Sequence, residues 1–273
     1  MVTASQRTVY NVALHLAMLF NKPYKILSNT TLNEKFEIEA NSELADNVYP
    51  SLKYIGIGIG GSVLLDNTDA YTYSEHSPIQ GALFEHIPYV LRKPNNDIDA
   101  GERSKYRFRK IVNIEGEPYI AYYLKLINTF DLRDVFYNIK ETVDGSILSL
   151  FDTNTVDILS PSPKNRDIAF DAPVEYVTKI ANIKFSLSNE ELLELNNVFK
   201  ILKKDNVTIT EMVLATGVDK TNVLGEIEAT SVQAGFFVNT NIDVVNQLKN
   251  KVSVAKVIEI GGLEPLRMWY VIF

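Results

Sequence analysis

Three groups of residues have the types and spacing that chemistry asks for: a glycine cluster, three histidines and a row of cations. Gly56-Ile57-Gly58-Ile59-Gly60-Gly61 reads G-x-G-x-x-G directly after strand-like residues. In a dinucleotide site such glycines open a helix whose N-terminus faces the pyrophosphate, and an acid follows about 20 residues on. Ser62 to Pro78 (SVLLDNTDAYTYSEHSP) has no helical stripe and several turn formers, and that acid is missing. The glycines are therefore expected to be structural, a strand or bulge that another backbone approaches closely.

The histidines are His15, His76 and His86. His15 falls beside an apolar helical stripe, where a core or boundary histidine is the ordinary reading. His76 and His86, preceded by Glu75 and Glu85, match no compact metal signature, and no G-x-S-x-G elbow supplies a nucleophile for a histidine base. The chain contains no cysteine, which removes disulfides, thiolate metal sites and cysteine nucleophiles together. No catalytic residue, metal or cofactor is expected.

Arg103, Lys105, Arg107 and Arg109 alternate with Ser104, Tyr106 and Phe108. On a strand, alternation puts all four cations on one face. Guanidinium forks suit carboxylates and phosphates, so the row has three readings: a sheet face paired with the chain's own acids, a contact with carboxylates of an adjacent subunit, or nucleic acid. Against 27 Lys and Arg stand 34 Asp and Glu, a net charge of -7, which argues against nucleic acid as the main partner. Tyr119, Tyr122 and Tyr123, and near the end Trp269, Tyr270 and Phe273, have the amphipathic rings that pack either internally or at a subunit boundary. Arg103, Lys105, Arg107, Arg109, Trp269, Tyr270 and Phe273 are the candidate interface residues.

The elements that position these residues follow from periodicity. Thr3 and Gln6 have capping-box spacing ahead of Val9, Val12, Ala13, Leu16, Leu19 and Phe20, which recur at helical intervals on one face until Asn21, Lys22 and Pro23. This stripe is expected to pack on the chain's own domain, with docking on a neighbouring subunit as the alternative. Residues 25–51 are polar and read as an exposed loop or arm, and 66–100, rich in turn formers, as an ordered surface excursion. Lys53 to Ile59 reads as a strand, and Ser104 to Val112 with Tyr119 to Leu126 as a β-hairpin closed near Glu115 and Gly116.

Pro161, Pro163 and Pro173 mark 152–174 as a linker between an N-terminal β-rich domain (1–151) and a C-terminal α+β domain (175–273). Glu175 to Leu187 reads as extended, Ser188 and Glu191 cap a helix striped by Leu192, Leu195, Phe199 and Leu202, and Val207 to Ala215 is a strand turned at Gly217. A short helix over Ile242 to Lys251 starts after Thr240, and two strand-like runs, Val254 to Ile260 and Leu266 to Phe273, follow. The fold class is α+β, mainly antiparallel sheet with a few amphipathic helices and long surface loops. The first 20 residues lack a signal-peptide pattern and no segment has the apolar length of a membrane span, so the chain is expected to be soluble and made in a cytoplasm.

Several blocks, in order, resemble virion structural proteins of tailed bacteriophages: Tyr54 to Gly61 (YIGIGIGG), Phe84 to Arg92 (FEHIPYVLR), Asn96-Asp97, Glu102 to Arg109 (ERSKYRFR) and Tyr119 to Lys125 (YIAYYLK). Ile209 to Asp219 (ITEMVLATGVD) is similar to a strand-turn signature of phage tail and baseplate components, and the apolar C-terminal end is similar to that of baseplate wedge proteins. The resemblance implies a non-enzymatic subunit of a virion's neck, ring or baseplate, made in the host cytoplasm. It implies no cofactor, other virion proteins as partners, and a homo-oligomer or repeated copies in a ring. A receptor- or glycan-binding fibre adaptor is the alternative.

Overall fold

Turn chemistry and capping explain the element boundaries where they are sharpest. The computed structural model of the chain describes residues 5–38, 44–64, 71–127, 130–142, 145–150, 175–204, 208–223, 225–251 and 253–261. Strand β1 (Ser5–Arg7) leads into α1 (Val9–Leu19) and the single turn α2 (Leu32–Lys35). Next come β2 (Ser51–Gly58), the antiparallel pair β3 (Ser62–Leu64) and β4 (Tyr71–Tyr73), and the short strands β5 (His86–Ile87) and β6 (Val90–Arg92). A 3-10 turn (Pro94–Asn96) and α3 (Ala100–Arg103) precede β7 (Tyr106–Ile114) and β8 (Glu117–Leu126). Then follow β9 (Phe130–Thr142), β10 (Gly145–Leu150), β11 (Glu175–Leu187), α4 (Asn189–Ile201), β12 (Thr208–Thr221), β13 (Ile227–Asp243), α5 (Val244–Lys249) and β14 (Val254–Gly261). The architecture is α+β and mainly antiparallel sheet, as the sequence pattern requires.

The expected hairpin is β7–β8, with Ile114 opposite Glu117. Its two loop residues, Glu115 (φ 53) and Gly116 (φ 85), both have positive φ. That is the mirror-image turn whose twist matches the strands it joins. The α4 capping box is complete: Ser188 accepts from Glu191 N–H, and the Glu191 carboxylate accepts from Ser188 N–H. Leu192, Leu195, Val198 and Phe199 bury one face of α4. Val198 packs with Leu91 and Ala121, which joins the helix to β6 and β8. Each such side chain contributes about 1.5–3 kcal/mol of gross burial free energy.

The chain divides into two compact units. One comprises Met1–Ile127 with Ser186–Ala255, the other Asn128–Phe185 with Lys256–Phe273. The first holds an eight-stranded sheet in the order β1-β13-β12-β2-β8-β6, with β5 on β2 and β7 on β8; the second holds β10-β9-β11-β14. The division thus does not follow a linker at 152–174, which lies outside the described residues. Antiparallel pairing of β9 with β11 unites chain from both sides of that segment in one sheet.

Other boundaries differ from the sequence reading for local reasons. Helix α1 is capped by Thr8, whose side chain accepts from Asn11 N–H, because Ser5, Gln6 and Arg7 are taken into a ladder with β13. The described part of 25–51 is no free arm. Thr31 and Glu34 form a capping box around α2 that sets Leu32 and Phe36 into the core. Asn33 there donates to Ala229 C=O and accepts from Val232 N–H, which ties it to an irregular stretch of β13 at Ser231 (φ 53). The described part of 66–100 runs partly over the surface but sets Leu83, Ile87, Tyr89, Val90 and Leu91 into the core. Gly217 lies within β12 at a register shift, where a Cβ would come within 2.8 Å of the Tyr54 ring. The short helix starts at Val244 on an Asp243 cap, since Thr240 still belongs to β13. The run Leu266 to Phe273 lies outside the described residues.

Candidate functional site

The cationic row does not form one strand face. Arg103 ends the helical turn α3, Lys105 lies between α3 and β7, and only Arg107 and Arg109 belong to β7. Their partners lie within the chain. Arg103 Nη1 stands 3.0 Å from Glu226 Oε1 and 3.9 Å from Asp97 Oδ2; Arg109 reaches the same two acids at 3.0 Å (Asp97) and 3.4 Å (Glu226). Tyr122 OH donates to the other Asp97 oxygen at 2.7 Å; burial, followed by this bond, pushes the phenol's pKa up. Lys105 pairs locally with Glu102. Arg103, Arg109, Tyr122 and Glu226 line a cleft of about 270 Å³ together with Tyr106, Phe108 and Ile227.

Arg107 is buried, 7% exposed. Its Nε donates to Asp219 Oδ1 at 3.1 Å and its Nη1 to Ser104 C=O. Asp219 also accepts from Tyr54 OH at 2.8 Å and faces Lys53. Of the three readings of the row, the geometry is that of cations paired with the chain's own acids. Trp269, Tyr270 and Phe273 lie outside the described residues. Tyr122 is buried, Tyr123 packs on Phe36, and Lys93 Nζ sits 6.0 Å over the Tyr119 ring.

The glycine cluster does surround an anion, and the anion is Glu211. This residue of β12 is fully buried. Its Oε1 accepts from Gly60 N–H (2.9 Å) and Glu85 N–H (3.0 Å); its Oε2 accepts from Phe84 N–H (3.1 Å) and meets His76 Nε2 (2.9 Å). A Cβ on Gly58 would lie 2.5 Å from Glu211 Oε1 and 2.6 Å from Glu85 C=O, so the close approach requires glycine. No helix follows: the chain enters β3.

His76 lies between the Phe84 and Phe237 rings, each centroid 4.1 Å away and nearly parallel. Its Nδ1 faces Gln80 Oε1, an atom that also accepts from Ser77 N–H and is thereby fixed as the amide oxygen. An oxygen atom thus faces each ring nitrogen, and the ring is held between two aromatic faces. His86 is the opposite case. Its Nε2 accepts from Leu83 N–H, and burial, helped by the nearby Lys35 and His76 charges, pushes its pKa down to about 3.

The apolar stripe expected to pack on the chain's own domain, with a neighbouring subunit as the alternative, is an open surface in the single chain. The α1 residues expected to face the core face outward instead: Leu19 and Phe20 are 67% and 65% exposed, and Val9, Val12 and Leu16 between 41% and 45%. The inward stripe is Tyr10, Leu14 and Ala17, of which only Leu14 is buried. The helix is nonetheless firmly held. Thr8 N–H and hydroxyl bond Gly235 C=O, Val9 N–H bonds Pro78 C=O, and Tyr10 OH donates to Ile79 C=O. The outward apolar spacing was legible as a stripe; what it packs against was not.

These features define an α+β protein whose described charged clusters close on internal partners while one rigid helix shows a wide apolar face. The chain belongs to a family of unknown function, DUF7208, whose model matches residues 2–269. No curated protein and no solved structure matches it.

Two outcomes test the charge assignments. Arg107→Ala leaves Asp219 without its buried partner and lowers stability by about 2–4 kcal/mol, whereas Arg109→Ala, whose partners are part-exposed and keep Arg103, costs about 1 kcal/mol or less; urea melts read the difference. For His86 the folded pKa lies below the ordinary 6.5. The unfolded chain therefore takes up the proton first, and the stability present above pH 6.5 is lost as pH falls toward the folded value. Near pH 5 the loss amounts to about 2 kcal/mol. His86→Gln, whose amide oxygen can accept from Leu83 N–H, removes that part of the pH slope.

Proposed function

We propose that the chain is a non-enzymatic structural subunit of a tailed-phage particle, in its neck, ring or baseplate, acting through subunit–subunit contacts. The observation that carries this reading is the α1 face: five large apolar side chains, Val9, Val12, Leu16, Leu19 and Phe20, open on a helix pinned to the sheet edge. Contiguous apolar area of this kind, on the order of 500 Å², marks a contact surface in a folded protein. The ordered blocks that resemble virion proteins point to the particle in which such a contact is made. The side chains with chemical potential support the same reading, since Glu211, His76, His86, Arg103, Arg107 and Arg109 are each engaged inside the fold.

The test is fractionation of purified particles made with an epitope-tagged chain. The chain is expected to remain with the particles through a density gradient, at a fixed ratio to the other structural proteins. Recovery in the soluble lysate alone contradicts the proposal. Saturable binding on a glycan array, with the chain at a fibre tip, replaces it by the adaptor reading.

A further inference from the structure

The outward residues of α1 carry a second pattern. Val9, Val12, Leu16 and Leu19 are spaced three, four and three residues apart, the a and d positions of a heptad, with Ala13 and Phe20 beside them. Neither the first nor the last turn of α1 holds a charged residue, and none of its outward apolar positions carries a titratable group. Such a seam fits another apolar helix. We propose that its occupant is a second copy of this chain, the two α1 helices packing antiparallel about a two-fold axis through the seam. The proposal rests on the reading of α1 as an assembly contact and names its partner.

Four considerations select a second copy. A two-fold contact uses the same patch twice, so the patch must complement itself. An uncharged seam with Val at one end and Leu at the other does so when antiparallel, Val9 facing the partner copy near its Leu19, and the helix dipoles then oppose favourably. Ile79, 72% exposed and held beside the α1 N-terminus by the Tyr10 hydroxyl, would meet Phe20 of the other copy at each end. Area agrees as well. With Ile79 added, two patches on the order of 600 Å² each together remove about 1,200 Å², the lower bound of stable specific interfaces. Net charge agrees too: two copies at -7 each repel except where they meet without charge. A lipid surface fits less well, because an interfacial helix carries Lys and Arg on its polar face and α1 carries neither.

The experiment is light scattering of the full chain after size exclusion, from low to high micromolar. The expected mass at the upper end is twice the 30.8 kDa of the chain. Leu16→Glu with Leu19→Glu should weaken association at least tenfold while circular dichroism and melting temperature stay unchanged, since both positions are open. Leu193→Glu, the same change at a 53% exposed site on α4, should leave the dimer intact. A monomer throughout overturns the proposal. So does a dimer indifferent to the α1 pair or lost equally in Leu193→Glu, a chain that dimerises only when cut after residue 261, and one that binds phosphatidylglycerol vesicles through α1 while staying monomeric. A chain that is monomeric alone yet joins particles through α1 sinks the dimer and leaves the assembly reading standing.

Discussion

Much of the first unit is organised around one buried carboxylate. Removing Glu211 from water is costly unless every oxygen is paired, and the fold meets this with three backbone N–H groups and His76. That requirement dictates sequence elsewhere. Gly58, Gly60 and Gly61 let the chain pass the carboxylate, and Phe84 and Phe237 enclose the His76 ring. Gln80 holds the other side of the ring. The consequence reaches α1, because Pro78 and Ile79 lie between His76 and Gln80 and bond the first helical turn. A charge no solvent touches thus sets the orientation of an apolar surface that solvent does touch.

The two kinds of surface are used differently. Arginines that look available in sequence are spent inside the chain on Asp97, Asp219 and Glu226, where each pair also offsets the cost of burying its partner. Part-exposed ion pairs contribute little beyond specificity. Apolar area left open on a pinned helix has a different standing. Its burial is favourable without geometric tuning, and the helix gives up little freedom on contact because Thr8, Val9 and Tyr10 already fix it. The proposed association through α1 rests on this difference.

Sequence patterns revealed those parts of the fold that local rules decide. The β7–β8 hairpin, the α4 capping box and the strand character of β2, β11 and β12 were legible because turn residues, caps and alternation act within a few positions. Long-range pairing was not. Glu211 and the glycines are some 150 residues apart, so the G-x-G-x-x-G cluster could be read as structural but not as the nest of a particular side chain. Helix α2 is one turn long, too short for a period to show. The alternation of Arg103 to Arg109 suggested a strand, but Asp99 caps a helical turn that draws Arg103 away from it. In α1 the apolar period was plain, yet period alone does not say which face meets the core. Tyr10, Leu14 and Ala17 won that position through Tyr10's bond to Ile79 and the pairing of Ser5–Arg7 with β13.

Under the proposed dimer, the open face of α1 is buried when copies of the chain meet. Hydrogen–deuterium exchange of the free chain, followed by mass spectrometry across a rising concentration series, reads this directly. Amides of Val9 to Phe20 are then expected to slow progressively with concentration, together with those around Ile79, while peptides from β9 and β11 do not change. Exchange in α1 that is the same at every concentration, or slowing spread evenly over the chain, would contradict it.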